Sequence, residues 1–254
     1  MDRFILEEFL LIFVRTTAFM FAAPFFSIRT VPVYIKVGFG LILAALLYPV
    51  LNINQVAPDA GSSLYWLSVI QETFVGLILG FTATLAFSAI RMAGQFIDLH
   101  IGFAMAGLFD PVSGVHTTLI GEFLYIMAML LFFVLDGHHT LLILLSRSYE
   151  AVPLMGAVFE PALAGEVAAI FYSAFALGFK IAAPIITVMF ISDISLSLIS
   201  RTVPQLNVFI TGFPLKVGFG FLALIVFIPL FANLVGGVVS EMQRALLKVM
   251  GAFP

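Results

Sequence analysis

Three stretches of this chain, Leu64–Ile90, Val167–Ile191 and Val217–Val239, are predominantly apolar over more than 20 residues each. A helix needs about 20 such residues to cross the hydrocarbon core of a bilayer. Backbone in lipid must satisfy its own hydrogen bonds, and runs of this length do so only as helices. Three shorter apolar segments, Phe9–Phe26, Val37–Leu51 and Phe123–Leu135, complete the pattern. The last can continue past Asp136-Gly137-His138-His139 into Thr140–Leu145. The 254 residues are 62% hydrophobic and 10% charged, against about 45–50% and about 25% in soluble domains. The expected fold is therefore all-α: helices from about six hydrophobic segments, in a membrane or a large hydrophobic complex.

The net charge of −3 is small and spread along the chain, which argues against a nucleic-acid surface. The absence of cysteine excludes disulfides and cysteine-ligated metals. Asp2, Glu7 and Glu8 do not suit a signal peptide, so the N-terminus is expected to be retained. Arg244 and Lys248 favour a cytoplasmic C-terminus, and an even number of spans would put the N-terminus on the same side.

Several apolar segments carry charges, among them Arg15, Glu72 and Lys180. An ionisable group inside a membrane is costly and is paired or functional by default. Glu72, Lys180 and Asp193 are candidate buried ion-pair members, within the chain or across a subunit interface. Pro184 and Pro229 each remove a backbone donor inside an apolar helix and are expected to kink it. Gly76, Gly80, Thr84 and Ser88 recur every four residues. That spacing lines one helix face with small side chains, where another backbone can approach, although small residues are also tolerated facing lipid.

Two connections stand out. Arg91–Glu122 is too apolar for a solvated loop and too rich in glycine for an ordinary helix. Gly102, Gly107, Gly114 and Gly121 alternate with the bulky Phe103, Met105, Leu108 and Phe109. Such a segment suits a water-excluding constriction, and equally a re-entrant segment that only packs. In Arg201–Lys216, Pro204, Pro214 and a glycine bracket a short apolar run, and Pro204, Gln205 and Asn207 combine a helix stop with amide donors and acceptors. Upstream, Ser192, Asp193, Ser195, Ser197 and Ser200 either bond neighbouring helices or line a wet path.

Enzyme signatures are missing: there is no P-loop, nucleophile elbow or dinucleotide fingerprint. His138 and His139 are adjacent, so they are expected to point apart and not to form a metal site; no metal and no cofactor is expected. A self-contained secondary transporter with a site near Lys180 and Pro184 is the competing reading, but no inverted repeat accompanies it.

The run VPQLNVFITGFPLKV (Val203–Val217) resembles the signature of the FliR family and its virulence-secretion relatives of the SctT type. AGQFIDLHIGFAMAGLFDPVSG (Ala93–Gly114) is similar to that family's central loop. The stretch Arg15–Pro49 is similar to its N-terminal region, and LDGHHTLL (Leu135–Leu142) to its fourth. The phrase ITGFPLK resembles the flagellar members more than the virulence ones.

The resemblance implies a non-enzymatic subunit of the flagellar type III export gate in the bacterial inner membrane, at the flagellar basal body. It implies an all-helical chain of hairpins, with a FliP-like part over about 1–165 and a FliQ-like part over 166–254. The implied partners are FliP, FliQ, FlhB, membrane lipid and transiting unfolded flagellar subunits. The central loop, carried onto residues 101–119, would plug the closed pore through Phe103, Met105, Leu108 and Phe109, with Gly107 and Gly114 as hinges. Gly76, Gly80, Pro204, Gln205, Asn207 and Pro214 are the expected packing and interface positions.

Overall fold

The computed structural model describes residues 2–26, 31–51, 62–103, 118–202 and 208–253, with side chains from residue 6 and, in the last stretch, from residue 212. The described residues form seven helices and no strand: α1 Asp2–Ala22, α2 Val33–Leu47, α3 Ser63–Ile101, α4 Leu119–Val134, α5 Gly137–Ala151, α6 Pro161–Thr202 and α7 Val208–Gly251.

Three helices, α3, α6 and the Gly212–Gly251 part of α7, are long and apolar enough to cross a membrane. They contain the three long apolar stretches of the sequence. The short α4 and α5 together pass the same test but are bent by 72° at the break between them. The break is local chemistry. Asp136 adopts the left-handed conformation (φ 54°, ψ 26°), which a short polar side chain tolerates better than a bulky one.

The long helices differ in burial. The apolar window of α3 is 61% buried, against 33% for α6 and 28% for α7. Large side chains such as Tyr172, Phe190 and Leu198 on α6, and Leu222, Val226 and Leu230 on α7, stand exposed. Water does not tolerate that much contiguous apolar surface on a monomer. Together with the spans it makes this a membrane protein.

The chain divides into two compact units, each assembled from separate stretches of sequence. The first comprises residues 1–86, 136–171 and 240–254. Its core joins Leu11 and Ile12 of α1, Ala44 of α2, Tyr65 of α3, Tyr149 of α5 and Leu154 beyond it. The C-terminal turns of α7 bury Met242, Leu246 and Val249 at helical spacing, with Arg244 and Lys248 outward, and Phe253 just beyond the helix is buried too. The second unit comprises 87–135 and 172–239. There Phe87 meets Phe132 edge to face at 5.2 Å, and Phe96 meets Phe175 and Phe179 at 5.9 and 6.0 Å.

Two expectations are corrected. Arg91–Ile101, expected to belong to a connection, is the last part of α3. Its buried residues Ala93, Ile97 and Ile101 keep the 3.6-residue period. Its one glycine, Gly94, lines a contact with Gly121 rather than breaking the helix. Pro214, placed by the sequence in a helix-stopping stretch, lies inside α7, which begins at Val208.

Candidate functional site: buried polar nodes and the α3–α4 junction

In the first unit, Arg15 of α1 is wholly buried beside an equally buried Glu72 of α3, and Arg15 Nε donates to Glu72 Oε2. Arg15 Nη1 donates to the carbonyls of Ser148 at 3.1 Å and Val152 at 2.8 Å, at the end of α5. The guanidinium carbon sits 4.4 Å from the centroid of the Tyr149 ring. The Tyr149 hydroxyl in turn donates to the Ile12 carbonyl at 3.1 Å and lies 3.0 Å from the Thr16 hydroxyl. Glu72 Oε1 accepts from the amide of Met155 at 3.0 Å, a residue held at φ 63°. One charge pair thus ties α1, α3, α5 and the turn after α5. A flat, multi-donor guanidinium can serve several acceptors at once, which an ammonium cannot do in the same geometry.

The small-residue face of α3 lies against α1 in the same unit. A side chain on Gly76 would run into the Arg15 carbonyl and Ala18, and one on Gly80 into Ala22 and the Phe19 carbonyl at 2.6 Å. The Thr84 hydroxyl continues the line by donating to the carbonyl of Ala22. Arg15 therefore reaches Glu72 because the α1 and α3 backbones are nearly touching.

In the second unit the end of α3 meets the start of α4. Asp98 is buried, and its carboxylate accepts from the amides of Ile120 at 3.1 Å and Gly121 at 3.4 Å. These are first-turn amides of α4 with no intrahelical acceptor. The local N-cap residue, Thr118, makes no side-chain capping bond, so the cap comes from another helix. Gly94 of α3 faces Gly121 so closely that a side chain on Gly94 would occupy the Gly121 backbone. One turn earlier, Arg91 lies 3.7 Å over the Tyr125 ring and 3.9 Å from Glu122. Arg91, Gly94 and Asp98 share one face of α3 and meet Tyr125, Gly121 and Ile120 in the same order. The helix ends at Gly102, whose φ of 105° suits glycine and whose amide bonds the Asp98 carbonyl at 3.0 Å.

With the fold and these contacts in hand, the chain matches the family model described as bacterial export proteins, family 1, over residues 6–242. It is 36% identical to flagellar biosynthetic protein FliR of Bacillus subtilis (strain 168) over 252 residues, 96% of this chain and 95% of that protein. The chain belongs to the FliR family of bacterial export proteins. Identity to FliR of Escherichia coli (strain K12) is 31%, over 94% of this chain and 91% of that protein. Yop proteins translocation protein T of Yersinia pestis is 31% identical over 86% of this chain and 81% of that protein.

The residues singled out from sequence fall in different places. Of the plug candidates, Phe103 is half-buried, with its ring 5.9 Å from that of Phe221. Met105, Gly107, Leu108, Phe109 and Gly114 lie outside the described residues, as do Pro204, Gln205 and Asn207. Pro214 is exposed. Glu72 meets Arg15, and Asp193 meets Lys216, 2.7 Å apart in a partly exposed pair. Lys180 pairs with neither: it is exposed on α6. That exposure gives no support to a transporter site enclosed around Lys180 and Pro184.

The histidines did not behave as expected. The rings of His138 and His139 lie 4.4 Å apart between centroids, tilted by 47°, and with Asp136 their ligand atoms lie within 4.8 Å of one another. Asp136 and His139 are exposed, and the three groups sit at a helix N-terminus, whose partial positive charge opposes a cation.

Sequence reasoning missed Asp98 and Gly94. A signal was present. Arg91, Gly94, Asp98 and Gly102 are spaced three, four and four apart, a helical face that the glycine content of the stretch obscured.

Proposed function

We propose that this chain is a non-enzymatic subunit of the flagellar type III protein export gate, helping to form and seal the channel through which unfolded flagellar subunits leave the cell. The observation that carries the reading is the match to a bacterial export family along residues 6–242, together with relatives named as flagellar biosynthetic proteins. Exposed apolar faces on α6 and α7 support it, because a subunit of a larger membrane assembly covers such faces with other chains.

Membership of an export apparatus means association with its other components. In this reading they are FliP, FliQ and FlhB, in the inner membrane at the flagellar basal body. Residues 1–165 act as the FliP-like part and 166–254 as the FliQ-like part. The loop over 101–119 is the plug, with Phe103, Met105, Leu108 and Phe109 as its bulk and Gly107 and Gly114 as hinges. The clasp of Asp98 on α4 supports this by fixing the residues on either side of the loop.

The first test is native mass spectrometry of the tagged chain, co-expressed with its genomic neighbours and extracted in mild detergent. A single complex with two different small membrane proteins is expected. A monomer or homodimer in the presence of those neighbours overturns the reading. The plug is tested by shortening the loop between Gly102 and Gly114. The complex should still assemble and the membrane become leaky to small ions; an intact complex in a membrane as tight as wild type removes the plug assignment.

A further inference from the structure

Lys180 is the one charged residue between Glu166 and Asp193 on α6, fourteen positions from the first and thirteen from the second. At 1.5 Å per residue it stands about 20 Å from either charged end. The hydrocarbon core is about 30 Å thick, so a stretch centred in it puts Lys180 about 15 Å from water. An extended lysine side chain reaches about 6 Å. Snorkelling along the helix therefore falls well short of water.

The chain itself does not solve the problem. Lys180 is exposed, and among the described residues the ion pairs are Arg15–Glu72, Arg91–Glu122, Lys216–Asp193 and Arg244–Glu241. A second polar group lies on the same turn. Pro184 has no amide hydrogen, so the Lys180 carbonyl lacks the donor that the fourth residue onward supplies in a regular helix. Immediately beyond, Pro184 and Val188 of α6 with Phe219, Leu222 and Val226 of α7 line an open apolar groove of about 330 Å³. A cation, a carbonyl without its helical donor and an apolar groove follow one another along an exposed helix face.

We infer that this face docks an apolar membrane helix of a different subunit carrying an aspartate or glutamate at mid-height, which pairs with Lys180 while its apolar side chains fill the groove. Charge decides the chemistry. A carboxylate on a neighbouring helix neutralises the ammonium at that depth without water. A second copy of this chain fits less well, because Glu72, Asp98 and Asp193 of its long helices α3 and α6 are already engaged, by Arg15, the α4 amides and Lys216 respectively. The inference rests on the gate-subunit reading and adds the face and the partner's chemistry.

The test compares wild type, Lys180→Arg, Lys180→Met and Lys180→Glu, each full-length, tagged and co-expressed with the neighbouring membrane proteins. Recovery of each partner in mild detergent is quantified. Opposing two carboxylates costs several kcal/mol, so Lys180→Glu should cut recovery of one partner at least about tenfold. Lys180→Met should cut it less, and Lys180→Arg should retain it. A photocrosslinking residue at position 180, which does not depend on the folding of the Glu variant, should give an adduct mapping beside an Asp or Glu of that partner. Reversing that acid to lysine should restore recovery with Lys180→Glu. If wild type recovers no other membrane subunit, the gate-subunit reading itself fails. If wild type recovers its partners and Lys180→Glu does so equally, the inference alone is overturned. Crosslinks confined to lipid, to a second copy, or to a partner segment without a carboxylate overturn it as well.

Discussion

Arg15→Leu should be among the most damaging substitutions in the first unit, and Glu72→Leu in the same background should repair most of the damage. Removing Arg15 leaves the Glu72 carboxylate fully buried with a single donor, the Met155 amide at 3.0 Å. Breaking a buried pair from one side costs about 3–5 kcal/mol. The Val152 carbonyl also loses its donor, whereas the Ser148 carbonyl keeps the Val152 amide at 2.9 Å. An orphaned buried acceptor costs about 1–3 kcal/mol, not fully additive with the first loss. The single variant should therefore lose about 4 kcal/mol. The double Leu variant carries no buried charge, and hydrophobic replacement of a whole pair is often near neutral. It should sit within about 2 kcal/mol of wild type, with the remaining loss from the Met155 amide and Val152 carbonyl. Trp66 is the chain's single tryptophan and lies on α3, six residues before Glu72, so its fluorescence reports urea unfolding in mild-detergent micelles. A single variant losing under about 1 kcal/mol would show the pair to be energetically idle. A double variant losing the sum of both singles would show that Arg15 and Glu72 act separately; either result refutes the reasoning.

Gly94→Ala should lower the thermal midpoint in detergent, because the added methyl falls on the Gly121 backbone and overpacking costs about 1–3 kcal/mol. Gly165→Ala, with nothing within 4 Å of the new methyl, should not lower it. Asp98→Ala should remove the cap on α4, costing about 0.5–2 kcal/mol, and speed hydrogen exchange at the Ile120 and Gly121 amides more than elsewhere in α4. Lys216→Met breaks a pair that is partly exposed and should cost under about 1 kcal/mol by the same urea titration.

The long spans were legible because length and hydropathy are local properties. Leu64–Ile90, Val167–Ile191 and Val217–Val239 each fall within a single helix. The end of α3 was not legible because the glycines that follow it, from Gly102 on, were weighed for backbone freedom and made the whole stretch read as a connection. In the structure Gly94 serves the opposite purpose, close approach to a neighbouring backbone. Arg15 and Glu72 were visible as costly charges, but 57 residues of sequence separate them and nothing local announces the pairing. The Asp98 cap was hidden for the same reason: its amides lie more than 20 residues away, and the position that should cap α4 by sequence, Thr118, does not.

Arg15 and Lys180 are both basic residues inside apolar helices, and the type of cation matches its surroundings. Arg15 has acceptors in several directions, a carboxylate and two carbonyls, with an aromatic face beside it. A planar guanidinium meets that demand and becomes a fixed node of the fold. Lys180 has no such cage; its surroundings are apolar side chains and a proline one turn on. A compact ammonium on a flexible stem can wait for one carboxylate to arrive and then adjust to it. The same cost that makes an intramembrane charge rare is met inside the chain in one case and is left for another chain to meet in the other, which is how a charge can report a subunit boundary that hydropathy alone does not mark.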